Sequence, residues 1–178
     1  MKYLAFILFS VILPGMAATE APASVAELFA PPATLNLIRD SGKVDACILN
    51  HLPPAVRPDG SVDRSTERYE ETAFTPVPAA TAAELRDLLL NEMTYDWKAG
   101  NGGRRPQFYL RLRFHRSDET IVIDFCFMCH VLNVTKQGAE LGHANFGPNG
   151  DLLLQAFLKI FPHDQPLQQV AKEAGLPP

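Results

Sequence analysis

Apolar and polar residues alternate strictly from Gln107 to Arg116: Phe108, Leu110, Leu112 and Phe114 fall on one side, Tyr109, Arg111, Arg113 and His115 on the other. A repeat of two is the repeat of a strand, so the pattern predicts a strand with one buried and one wetted face. Ser117-Asp-Glu119 turns the chain, and Thr120 to Phe127 alternates again, with Ile121, Ile123, Phe125 and Phe127 on one side. The pair reads as a hairpin. A third strand, Val131 to Thr135, follows and ends at Lys136-Gln-Gly138.

Elsewhere the apolar repeat is helical. Thr81-Ala-Ala-Glu84 has the form of a capping box, and Leu85, Leu88, Leu89 and Met93 behind it make one stripe, expected against the apolar face of the hairpin. Gly100-Asn-Gly-Gly103 predicts a loop after this helix. A second amphipathic helix follows Pro148-Asn-Gly150, with Leu153, Leu154, Phe157, Leu158 and Phe161 on its apolar face and Pro162 as its stop. A short tail helix runs from about Leu167 to Ala174. Nearer the start, Ser24 to Ala30 allows one helical turn, and Thr34–Arg39 and Val44–Leu49 read as a hairpin about Asp40-Ser-Gly-Lys43. Prolines and charges between His51 and Ala80 predict an irregular crossing, with Tyr69 to Thr75 as a short edge strand. Grouped strands flanked by helices, without regular alternation, indicate an α+β fold: a small, mainly antiparallel sheet packed with two amphipathic helices.

Length narrows the organisation. The chain has 178 residues, the size of one domain. Residues 1–17 have the three parts of a secretory signal: Lys2, a short apolar run from Tyr3 to Pro14, and the small residues Gly15-Met-Ala17. The expected organisation is a signal peptide at 1–17, a flexible Ala- and Pro-rich segment at 18–33, and a single α+β domain at 34–178. No later apolar segment predicts stable membrane insertion once the signal is cleaved, which points to a periplasmic or extracellular protein. Cleavage after Ala17 removes Lys2, leaving 15 basic against 20 acidic residues and a net charge of −5. That balance argues against nucleic acid or an anionic membrane as the main partner.

Phe125-Cys-Phe-Met-Cys-His130 carries the candidate chemistry and two of the three cysteines. Residues three apart in a straight strand are about 10 Å apart and face opposite ways, whereas a disulfide tolerates about 7 Å between Cα atoms. A Cys126–Cys129 bond therefore requires a break at Phe127-Met128. Four uses of the motif are compatible with the spacing. It is a structural staple, worth about 2 kcal/mol or less because the loop is short. It is a thiol–disulfide pair, although Asp124 nearby would raise a thiol pKa rather than lower it. It is a covalent haem c site, Cys126 and Cys129 holding the vinyl groups and His130 the iron. Or it is a zinc or copper site formed by Cys126, Cys129 and His130, with His143 or Cys47 as the fourth ligand. Cys47 reads most simply as a small buried hydrophobe. Arg111, Arg113 and His115 read as a solvated strand face, and Asn133-Val-Thr135 matches a glycosylation acceptor placed on a strand. Motifs for a serine hydrolase, a P-loop enzyme or a dinucleotide-dependent dehydrogenase are absent.

The order of features between residues 81 and 165 resembles a group of uncharacterised exported bacterial proteins and lipoproteins with Cys-Phe-x-Cys in a β segment. The resemblance rests on Leu88-Leu-Leu90 and Met93-Thr-Tyr95, Leu112-Arg-Phe114, Cys126-Phe-Met-Cys129 and Leu158-Lys-Ile-Phe-Pro162. It implies a staple or metal pair more than haem, with His130 incidental, and it implies no reaction. This chain lacks the lipobox cysteine of the lipoproteins in the group. The expected function is a non-enzymatic binding or envelope-associated module with no cofactor, against a redox or electron-transfer protein using the same cysteines.

Overall fold

The computed structural model describes residues 22–99, 106–147 and 149–176. The apolar run at 1–17 and the glycine loop at 100–103 lie outside them. The chain begins with two helices, α1 (Val25–Leu28) and α2 (Pro32–Arg39), and continues into the long strand β1 (Lys43–Leu52). A two-stranded arm follows, β2 (Ala55–Val56) with β3 (Val62–Asp63), and then β4 (Arg68–Glu71) and β5 (Thr75–Pro76) return to β1. Next come α3 (Ala79–Leu89) and the meander β6 (Leu110–Arg116), β7 (Glu119–Cys126), β8 (Val131–Lys136) and β9 (Ala139–Asn145). Helices α4 (Gly150–Ile160) and α5 (Gln165–Glu173) close the fold.

The strands form a seven-stranded antiparallel sheet in the order β4-β1-β6-β7-β8-β9, with β5 also on β1. This is the α+β architecture that the strand and helix patterns predict. Leu110, Leu112 and Phe114 of β6, Ile121, Ile123 and Phe125 of β7, and Leu132 and Val134 of β8 are fully buried. They share one core with Leu37 and Ile38 of α2, Leu85 and Leu89 of α3, and Leu153 and Phe157 of α4. Each such side chain contributes about 1.5–3 kcal/mol on burial. Among the described residues, no helix is long and apolar enough to cross a membrane.

Two sequence expectations give way. Thr34–Arg39 is not a strand paired with Val44–Leu49 but lies within α2: Pro32 presets the first helical position, and the buried Thr34, Leu37 and Ile38 stand at i, i+3 and i+4. The Asp-Ser-Gly stretch ends this helix. There Arg86 of α3 donates to the carbonyls of Ile38 and Ser41, at 3.1 and 2.7 Å. Thr81 does not cap α3, because the helix starts two residues earlier behind Pro78, which leaves Thr81 buried within it and Glu84 paired with Lys159 of α4. The last strand, β9, has no counterpart in the sequence pattern. Before α2, the helical turn allowed between Ser24 and Ala30 is present as α1, and Leu28 and Phe29 at its end are fully buried.

Candidate functional site: the disulfide turn and the charged sheet face

Strand β7 ends at Cys126 and β8 begins opposite it at Val131, so the chain reverses within four residues. Cys126 and Cys129 are joined in a disulfide with Cα atoms 5.2 Å apart. The strand therefore breaks at Phe127-Met128, where the spacing demands it. His130 supports the reversal with a left-handed backbone, φ 57°, a conformation costly for most side chains but compatible with histidine. Phe127 turns inward, packing against Phe125, Phe146 and Phe157 at centroid distances of 6.0, 5.3 and 5.8 Å. Met128 turns outward and is 71% exposed. Cys126 is buried, and its Sγ accepts the Cys129 N–H at 3.2 Å. The side chain of His130 is exposed, while its carbonyl accepts the N–H of Phe146 at 2.7 Å.

The two sulfurs are thus engaged with each other. His130 follows them on the turn, and His143 lies on β9, 3.4 Å from Glu140. Among the described residues, no three or more His, Cys, Asp or Glu side chains gather as a metal-ligating group, so Cys126, Cys129, His130 and His143 are not brought together as one. Cys47 is a free thiol on β1, fully buried, with β6 between its strand and that of Cys126. Burial, with the charge of Glu71 beside it, pushes its pKa up to about 11, which keeps it a protonated and unreactive thiol at neutral pH.

Around Cys47 the sheet carries a second feature that sequence reasoning missed. Cys47, Arg111, Asp124, Asn133 and His143 are register partners in one row across β1, β6, β7, β8 and β9. Arg111 grips Asp124 with two hydrogen bonds, 2.6 and 2.7 Å, and also reaches Glu71. In the next row Asp45, almost fully buried, takes a hydrogen bond from Arg113 at 2.7 Å and sits 3.1 Å from both Lys43 Nζ and His115 Nε2. The Arg113 guanidinium lies 3.1 Å over the ring of Phe74, a cation–π contact that holds it flat. Burial alone would raise the Asp45 carboxyl, but hydrogen bonds from Arg113 and Lys43, with the charges of Arg113 and His115, outweigh it and hold the carboxyl below its ordinary 3.8. The row expected to be solvated is instead half-buried and neutralised by Asp45 and Asp124. The available signal was the placement of Asp45 and Asp124 at the polar positions of two alternating strands, where a carboxylate can face an arginine on the strand between them.

Electrostatics bears on the cysteines as well. Asp124, two residues from Cys126, is already claimed by Arg111, and no helix begins at the pair, since the next element is β8. Among the described residues, no helix N-terminus is set against Cys126 to favour its thiolate. Comparison with protein-family models, with curated proteins and with solved structures finds no match.

Proposed function

We propose that this chain is an exported, envelope-associated binding module rather than an enzyme, with the Cys126–Cys129 disulfide as a structural staple. The observation that carries the reading is the placement of that disulfide: it closes a hairpin turn at the end of a buried strand, with Cys126 withdrawn from solvent. A disulfide of this kind persists in an oxidising compartment, in keeping with the secretory features of residues 1–17. The charged sheet face supports a non-catalytic role, because its arginines and carboxylates are spent on one another. The likeness to exported proteins with Cys-Phe-x-Cys points the same way.

The test is a thiol count on the exported protein. Denatured without reductant it should show one thiol, Cys47, and after reduction three. Three thiols without reductant would sink the staple. The non-enzymatic part has its own assay, reduction of insulin by dithiothreitol: the protein should not accelerate it, and clear acceleration would establish the redox alternative instead.

A further inference from the structure

A cavity of about 780 Å³ opens where the end of α2 meets α3, within the size range of small-ligand sites. Ala83, Arg86 and Asp87 line it from α3, with the capping residue Leu90 one turn further on. These positions share one helix face, away from the buried Leu85 and Leu89. Arg39, the last residue of α2, lies across from them, and the wall is completed by Asn91 and Glu92 as the chain leaves α3. Arg86 holds the two helices together here through its bonds to the carbonyls of Ile38 and Ser41. Arg39 directly follows Ile38, so the same contact fixes its backbone against α3.

The lining carries charges of both signs that the fold does not use. Among the described residues, neither Arg39 nor Asp87 has a hydrogen bond or an ion pair. Arg86 spends Nε and Nη2 on α2 and keeps Nη1. Asn91 accepts the Met93 N–H at 2.9 Å through Oδ1 and keeps both hydrogens of its amide nitrogen. Glu92 is held by two neutral donors, the Val25 N–H and the Trp97 indole N–H, each at 3.0 Å, so no cation cancels its charge.

We propose that this cavity binds a small zwitterion, a free amino acid or a short peptide, its carboxylate on Arg39 and Arg86 and its ammonium on Asp87 and Glu92. This names the ligand class of the binding module and rests on that reading. A guanidinium matches a carboxylate with two parallel hydrogen bonds, and the Asn91 amide adds a further donor. Two arginines against one aspartate and one glutamate leave the lining with no net charge. Ligands of a single sign are therefore disfavoured: inorganic phosphate would meet two carboxylates, and a divalent cation two guanidiniums. Ala83 and Leu90 supply apolar surface for an aliphatic side chain.

The test uses probes that differ only in their charged ends. L-leucine and L-leucyl-L-leucine carry both, N-acetyl-leucine lacks the ammonium, and leucinamide lacks the carboxylate. In ligand-observed NMR titrations of the purified protein, leucine or its dipeptide should bind with a dissociation constant of about 1 mM or below, and the blocked probes roughly tenfold more weakly. The tighter of the two zwitterions tells an amino-acid site from a peptide site. Arg39→Gln should make leucine and leucinamide bind alike, and Asp87→Asn should make leucine and N-acetyl-leucine bind alike. Both side chains are exposed, so neither variant should shift the melting temperature. Absence of binding by either zwitterion at about 10 mM would overturn the proposal. So would a blocked probe that matches leucine on the parent protein, which would make the cavity an anion or a cation site, or selectivity that survives in both variants. Failure of the binding-module reading shows separately, as accelerated insulin reduction or as three thiols without reductant.

Discussion

Asp45 is a charged side chain almost without solvent contact, surrounded by Arg113, His115 and Lys43. Its pKa lies below the ordinary 3.8, so the folded protein binds fewer protons there than the unfolded chain. The stability this adds is complete above about pH 4 and fades as pH falls through 3.8 towards the folded value. Asp45→Asn should therefore flatten the acid limb of a stability–pH curve, and urea titrations between pH 3 and 6 will show it. Asp45→Ala should cost about 2 kcal/mol at pH 7, less than a fully buried pair because Arg113 and His115 reach water. Cys47 titrates with the opposite sign. Its pKa rises from 9.0 to about 11 on folding, so the stability linked to its protonated form is complete below pH 9 and declines as pH rises towards 11. Iodoacetamide at pH 8 should leave Cys47 untouched in the native protein and alkylate it after denaturation; native labelling at the denatured rate would mean that the thiol is not buried. These roles were only partly legible. The sequence marks Cys47 as a small hydrophobe and Arg111 and Arg113 as polar strand positions, but not which carboxylates meet them, because register is set by the pairing of β1 with β6.

Among the elements, the β7–β8 hairpin was legible in most detail. Two cysteines three apart in an alternating segment cannot bond across a straight strand, and the break falls where that constraint puts it. Replacing both Cys126 and Cys129 by Ser should lower stability by about 2 kcal/mol without loss of the fold, since the disulfide closes only a four-residue loop. Urea unfolding with unchanged far-ultraviolet dichroism checks this. His130→Gly should change stability by less than about 0.5 kcal/mol, relief of the left-handed backbone offsetting the added freedom of the unfolded chain, whereas His130→Val should cost about 1–2 kcal/mol. Close approach makes a firmer demand at Gly147, where a side chain would begin 2.5 Å from the carbonyl oxygen of Tyr95. Gly147→Ala should cost about 2 kcal/mol, read as a lower melting temperature. Two elements escaped the sequence for physical reasons. In β9, Ala139-Glu-Leu-Gly-His-Ala-Asn145 has weak β propensity and is a strand because β8 offers it an edge. In α2, six residues from Thr34 hold too few turns to separate the two periods, and the Asp-Ser-Gly that imitates a hairpin turn is instead a helix end stabilised by Arg86.

For the molecule as a whole, alternation and helical stripes were enough to read an antiparallel sheet with helices packed on it, because one core has to absorb both patterns. The proposed role depends on two features: an apolar start with a cleavable form, and a cysteine pair whose oxidation the hairpin geometry favours. Both are read in one experiment, the intact mass of the protein recovered from its host under non-reducing conditions. Export with a disulfide staple predicts a chain beginning at Ala18, two hydrogens lighter than its fully reduced form, with no covalent addition. A mass that retains residues 1–17, that equals the fully reduced chain, or that carries a haem would contradict it.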